Sequence, residues 1–198
     1  METAESLHAC WFGGAADEAA AQRQSKLWWS KSAELDAELA RRFGGLVTAA
    51  RSGALDDWTA TPQGALALIL LTDQLPRNIY RGTPAAFASD PIALSACVAG
   101  LASGADRQLA PVERVFFYLP LEHAESLAEQ DRSVALCTQL LAEVPDAAAE
   151  RYRGVLDYAV RHRQVIARFG RFPHRNAILG RASTAEEIAF LAEPGSSF

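Results

Sequence analysis

Lysine is nearly missing from this chain: Lys26 and Lys31 are the only two among 19 basic side chains, so arginine carries almost all the positive charge. Cysteine is scarce as well. Cys10, Cys97 and Cys137 are odd in number, far apart, and set in apolar helical patterns. That excludes a disulfide framework and suits reduced, buried thiols. The longest unbroken apolar run, Ala65 to Leu71, is far short of the roughly 20 residues that span a bilayer. The opening Met-Glu-Thr-Ala-Glu has neither a basic n-region nor an apolar h-region, so a cytoplasmic protein without a membrane partner is expected. Alternating β patterns are absent, as are G-x-x-x-x-G-K-[ST] and G-x-G-x-x-G loops for nucleotides. No H-E-x-x-H or H-x-x-x-H spacing occurs, so neither a metal nor a cofactor is expected. A Ser or Cys nucleophile with its triad is likewise unsupported.

Helical signals fill the space these absences leave. With 198 residues, 49% apolar and 22% charged, the chain suits one soluble domain over residues 1–198. Thr3 caps a first helix that Gly13-Gly14 stops, and Ser32 caps another in which Gly44-Gly45 favours a kink. Thr61-Pro62, Thr83-Pro84 and Asp90-Pro91 each pair an N-cap oxygen with proline at the first helical position. The segment Pro62 to about Gln74 is apolar on every side, which marks a central buried helix. Pro120 closes a helix begun at Pro111, a long helix runs from about Asp146 to Phe169, and Ser183-Thr184 opens the last one with overlapping capping boxes. The sum is an all-α, single-domain array of about eight to ten helices with no fixed-period repeat.

The polar residues are not spread evenly. From Arg151 to Arg181 there are eight arginines and one acid, Asp157, a local balance of +7. The net charge is −5, so the rest of the chain carries −12. Genome composition explains arginine over lysine but not this clustering, which steers an anionic partner. Two stretches concentrate the chemistry: Arg168 to Arg181, and Asp73 to Gly82 at the end of the apolar helix. They read as facing walls of one pocket. Asp73 follows Leu66, Ile69 and Leu70 on a packed face, where a bare charge costs several kcal/mol, so it needs a partner such as Arg77.

The blocks Leu71 to Pro84 and Arg168 to Arg181 followed by Ser183-Thr184, with Trp11-Phe12-Gly13, Leu55-Asp56-Asp57-Trp58, Phe116 to Pro120, and His123 with Glu125 and Gln130, resemble a bacterial family known as domain of unknown function 924. The resemblance covers nearly the whole chain. Ala124 stands where a small hydroxyl residue is usual, and Leu75 replaces a usual Phe. The family implies an all-helical fold grouped with tetratricopeptide-like superhelices, and it implies no reaction.

Two readings of function stay open. In the first, a small anionic ligand bearing phosphate or carboxylate is held by Asp73, Gln74, Arg77, Asn78, Arg81, Glu125, Arg168, Arg171, Arg175 and Asn176, since guanidinium groups bind such oxygens bidentately. His123 or His174 then carries protons. Glu122 and Glu125 flank His123 and should raise its pKa, while arginines around His174 should lower its own. His162 lies on an apolar stripe and reads as a core residue. In the second reading the molecule is a helical module for a peptide or protein partner, and the arginines only lock helices through ion pairs. Nucleic acid ranks last, because the chain is acidic and carries no RNA-binding signature.

Overall fold

The computed structural model describes residues 2–196. Among them all regular structure is helical: α1 (Ala4–Phe12), α2 (Ala20–Trp29), α3 (Ala33–Arg51), α4 (Pro62–Ile69), α5 (Leu75–Ile79), α6 (Asp90–Ser103), α7 (Pro111–Glu122), α8 (Leu127–Glu143), α9 (Ala149–Phe169) and α10 (Ala185–Leu191), with short 3-10 turns between them. A π turn over Leu70–Gln74 joins α4 to α5. Those two segments form one continuous rod, so the described residues make nine separate helices, within the expected range.

Caps explain several boundaries. The Thr3 hydroxyl accepts from Ser6 N–H and Ser6 answers to the Thr3 N–H, while Gly13 ends α1 in the left-handed region at φ 70°. Ser32 and Thr61 cap α3 and α4 through their hydroxyls. Thr184 and Glu187 form the capping box of α10, and the Ser183 hydroxyl instead accepts from Asn176. The Gly44-Gly45 pair does not interrupt α3, because packing of Leu39, Phe43 and Val47 into the core outweighs the cost of two glycines.

The α4 rod is the centre of the core, buried from Gly64 to Ile69 and on through the π turn. It packs against α1, α6 and α7, and the π turn reaches α3. Its start is held tightly: a Cβ on Gly64 would lie 2.1 Å from the Trp58 carbonyl oxygen. Gly100 of α6 lets Phe117 of α7 come equally close, with 2.4 Å left for a Cβ. Trp11, Phe12 and Trp28 close the N-terminal side around Phe116, with ring centroids 4.7–5.7 Å apart in edge-on contacts. Val165, Ile166 and Phe172 form a separate small cluster with Phe169 and Phe190 under α10.

Two prolines behave differently from expectation. The rod does not stop at Gln74 but continues to Ile79 through Pro76. The π turn makes this tolerable, since the Leu75 N–H reaches back five residues to the Leu70 carbonyl and the wider turn absorbs the register change. Pro120 likewise lies inside α7 rather than ending it; the helix goes on to Glu122. Pro120 lines the candidate site.

One segment, Pro84–Ser103, is long and apolar enough by composition to cross a membrane, with a mean hydropathy of 1.5. It contains Asp90, which is ion-paired to Arg77 of α5, and its Ala93, Ala96, Cys97 and Gly100 face the helical core.

Candidate functional site

Asp73 sits in the π turn and is wholly buried. Its carboxylate accepts from His123 Nδ1 at 2.7 Å and lies 3.2 Å from Arg77 Nη1, with Gln74 Nε2 as a third donor. Burial alone would raise its pKa, but Arg77 and His123 outweigh that and hold the carboxyl below the usual range. The partner expected from the sequence, Arg77, is therefore present, one turn further along the rod.

Arg77 does double duty. Nη1 and Nη2 bind both oxygens of Asp90 at 2.9 and 3.1 Å, and Nη1 also donates to the Asp73 carbonyl at 2.6 Å. Asp90 thus leaves the capping role that its position before Pro91 suggested. Ser89 holds the cap position of α6, without a side-chain cap bond, and the Asp90 carboxylate turns inward to the cation.

The second stretch arrives on the 3-10 turn Pro173–Arg175. Arg175 is only 6% exposed. Its guanidinium lies between the rings of Phe172 and Phe87, 4.4 and 4.8 Å from their centroids. Its one hydrogen bond is long, Nη1 to Asp90 at 3.5 Å, and its buried Nε has no partner among the described residues. Burial and the neighbouring Arg77 push its pKa down to about 10. This is a cation without its full complement of acceptors.

Beside Arg175 lies a cleft of about 460 Å³; the second stretch gives it Arg175 and Leu179, but no residue of Asp73 to Gly82 lines it, so Asp73, Gln74 and Arg77, expected at the pocket, stand outside its lining. Asp90, His123, Glu125 and Arg175 give it a polar side; Phe87, Pro91, Leu94, Pro120 and Leu179 give it an apolar one. Glu125 is fixed by Arg181, at 2.7 and 2.9 Å, and by the Phe172 N–H at 2.9 Å. Together these hold its carboxyl below the usual range even though burial pushes the other way.

His123 faces this cleft with its Nδ1 committed to Asp73. The carboxylate accepts the Nδ1 proton, which leaves Nε2 as the basic lone pair, with no hydrogen bond among the described residues. Its pKa is lowered, first by burial and then by Arg77, with Asp73 acting in the opposite sense. Sequence proximity to Glu122 and Glu125 suggested a raised pKa. Those acids act elsewhere: Glu125 pairs with Arg181, and Glu122 lies 3.2 Å from His162 on the buried side. There, burial and the Asp73 charge push Glu122 up to about 8, while burial and the neighbouring His123 push His162 down to about 3. His162 is buried in the core, as its stripe indicated. His174 stands behind the cleft with its ring 5.6 Å from Phe172, and is pushed down to about 4 by burial and Arg175, in the direction read from its arginine neighbours.

Four residues expected at the pocket turn to other carboxylates. Asn78 and Arg81 point back across the rod to Asp36 of α3, with three hydrogen bonds of 2.8–2.9 Å. Arg168 pairs with Glu186 and Arg171 with Glu187, both at the start of α10. The Arg168 to Arg181 stretch contains no acid of its own, so these acids 15 residues and more away were invisible in a local reading. Asn176 is buried and structural in its bonds, donating to Ser183 and accepting from Arg181 at 3.0 Å each. Asp90 and Phe87, which sequence reasoning left out of the pocket, both line it; the only signal was a carboxylate with a spare cap residue, Ser89, beside it.

The fold and the site define a bundle of helices with a half-apolar cleft where α6, the end of α7 with the turn after it, and the Pro173–Arg175 turn meet. The chain belongs to the family of bacterial proteins of unknown function called DUF924, which it matches over residues 7–195. It is similar to a solved structure of a protein of unknown function from Agrobacterium tumefaciens, with 36% identity, 96% of each chain covered and a TM-score of 0.80. No curated protein matches it.

Proposed function

We propose that this protein binds a small anionic ligand in the cleft, with Arg175 as the principal cation and His123 Nε2 as a proton acceptor beside it. The observation that carries this reading is Arg175 itself: a buried guanidinium on the cleft wall with an unpartnered Nε and a single 3.5 Å bond to an acid already bound twice by Arg77. A buried guanidinium short of acceptors is costly, and although Nε itself is sealed from the cleft, an anion there that reaches the terminal nitrogens lowers that cost. The Asp73–His123 pair supports the same reading, since a carboxylate that fixes an imidazole tautomer prepares the other nitrogen for general base work. His174, away from the cleft lining, serves as part of the wall behind Phe172 rather than as the proton carrier. A thermal-shift screen with carboxylates and phosphorylated metabolites tests the proposal. Stabilisation of the wild type by at least one anion, lost in Arg175→Gln, is the expected result; equal shifts in both proteins count against it.

The tetratricopeptide-like, peptide-binding alternative has its own support. Helices α6 to α9 follow one another as neighbours, each packed on the next, as hairpin arrays do. The pairing of Arg81, Arg168 and Arg171 with acids on other helices is what a purely structural role requires. Under either reading one domain in the cytoplasm is proposed, supported by a main hydrophobic cluster running from Leu7 to Ala159 and by three free cysteines.

A further inference from the structure

We infer that the cleft selects an amphipathic monoanion, a carboxylate on an aryl or alkyl body, and rejects phosphomonoester dianions. This rests on the anion-binding reading and narrows it. The charge count decides the head group. Arg77 spends both terminal nitrogens on Asp90, and Arg181 spends both of its own on Glu125. Arg175 is the cation on the cleft wall with donors left over. Two carboxylates, Asp90 and Glu125, share that wall, and Asp90 Oδ2 stands 3.5 Å from Arg175 Nη1. A single negative charge finds its counterpart in Arg175. A second charge on the same head meets Asp90 at close range, and like-charge juxtaposition of this kind is strongly unfavourable.

The body follows from the apolar part of the lining. Phe87, Pro91, Leu94, Pro120 and Leu179 present carbon, and the volume of about 460 Å³ falls in the range of small-molecule sites. Contacts with the rings of Phe87 and Phe172, 4.8 and 4.4 Å from their centroids, restrict the guanidinium, whose terminal nitrogens suit a carboxylate. His123 Nε2, a lone pair rather than a donor, adds to the discrimination: it accepts an O–H or N–H from the ligand and repels a further anionic oxygen.

Isothermal titration at pH 7.5 with three matched probes tests this. The probes are 3-phenylpropionate, 2-phenylethyl phosphate, which is largely dianionic there, and the neutral 3-phenylpropionamide. The expected result is that the carboxylate binds at least about tenfold more tightly than either of the others. Arg175→Gln should abolish that preference over the amide, and Asp90→Asn should narrow the gap between carboxylate and phosphate. If the phosphate binds as tightly as the carboxylate or more so, the monoanion rule falls while the anion site stands. If the amide equals the carboxylate, or no probe binds, both fall together. The wild-type series decides the matter even where a variant fails to fold.

Discussion

Arg171 and Arg175 lie four residues apart in one basic stretch and end in opposite circumstances. Arg171 grips both oxygens of Glu187 at 2.6 and 2.8 Å, across a seam that ties the end of α9 to α10. Arg175 is more deeply buried, flattened between two rings, and holds only the margin of a carboxylate that another arginine already owns. Residue type and local composition are the same for both. What separates them is the geometry of acids supplied from elsewhere in the chain, and that geometry turns one arginine into a fastener and leaves the other with unused donors.

The comparison can be broken most forcefully at the acid Arg175 shares. Arg77→Ala strips the wholly buried Asp73 and Asp90 of their main cation, and breaking a buried pair from one side costs about 3–5 kcal/mol. Urea denaturation should show a loss of that order; a loss below about 1 kcal/mol would mean that His123 and Arg175 suffice for both acids. Next in size is a pH effect at Glu122. Burial and the Asp73 charge push its carboxyl up to about 8 from its ordinary 4.5, so the fold keeps a proton that the unfolded chain releases, and stability falls as pH rises through that window. His162 and His174, at about 3 and about 4, act the other way below about 6.5, where the unfolded chain takes up protons that the fold refuses. Above about pH 6.5 the Glu122 slope stands alone among these groups. Stability should drop by at most about 2 kcal/mol between pH 6.5 and 8, and Glu122→Gln should flatten the curve.

The smaller effects sharpen the contrast between the two kinds of arginine. Arg175→Gln should stay within about 1 kcal/mol of wild type in stability, because Asp90 keeps both hydrogen bonds from Arg77, while any anion-dependent thermal shift disappears. Arg168→Gln breaks a pair exposed on both sides and should cost between about 0 and 1 kcal/mol with ligand shifts intact. A reversal of these two outcomes would put the ligand at the α10 seam.

Much of the scaffold was legible before any coordinates. The all-helical class, the central apolar rod, the caps at Thr3, Ser32 and Thr61, and the left-handed glycines at 13 and 170 follow from local rules. The errors lie near proline: the rod was expected to end at about Gln74 and α7 at Pro120, but the rod continues through Pro76 by way of a π turn and α7 continues to Glu122. For the site, the partnership of Asp73 with Arg77 was readable from charge and periodicity; the two stretches meet only through Asp90, which Arg77 and Arg175 share, and the first does not line the cleft. The diversion of Asn78, Arg81, Arg168 and Arg171 was not, since it depends on acids of α3 and α10 whose approach only the fold determines. Asp90 shows the same limit from the other side: a residue with a good local role as a cap gave it up for a long-range one.

The claim on which the rest depends is that Arg175 has donors to spare on an open cleft. A crystal structure of the protein grown with 3-phenylpropionate measures this most directly. The expected map has the carboxylate within about 3 Å of the Arg175 guanidinium and the phenyl ring against Phe87 and Leu94. A map in which Arg175 closes a two-point pair with Asp90, leaving the cleft filled by side chains or the ligand bound elsewhere, would contradict it.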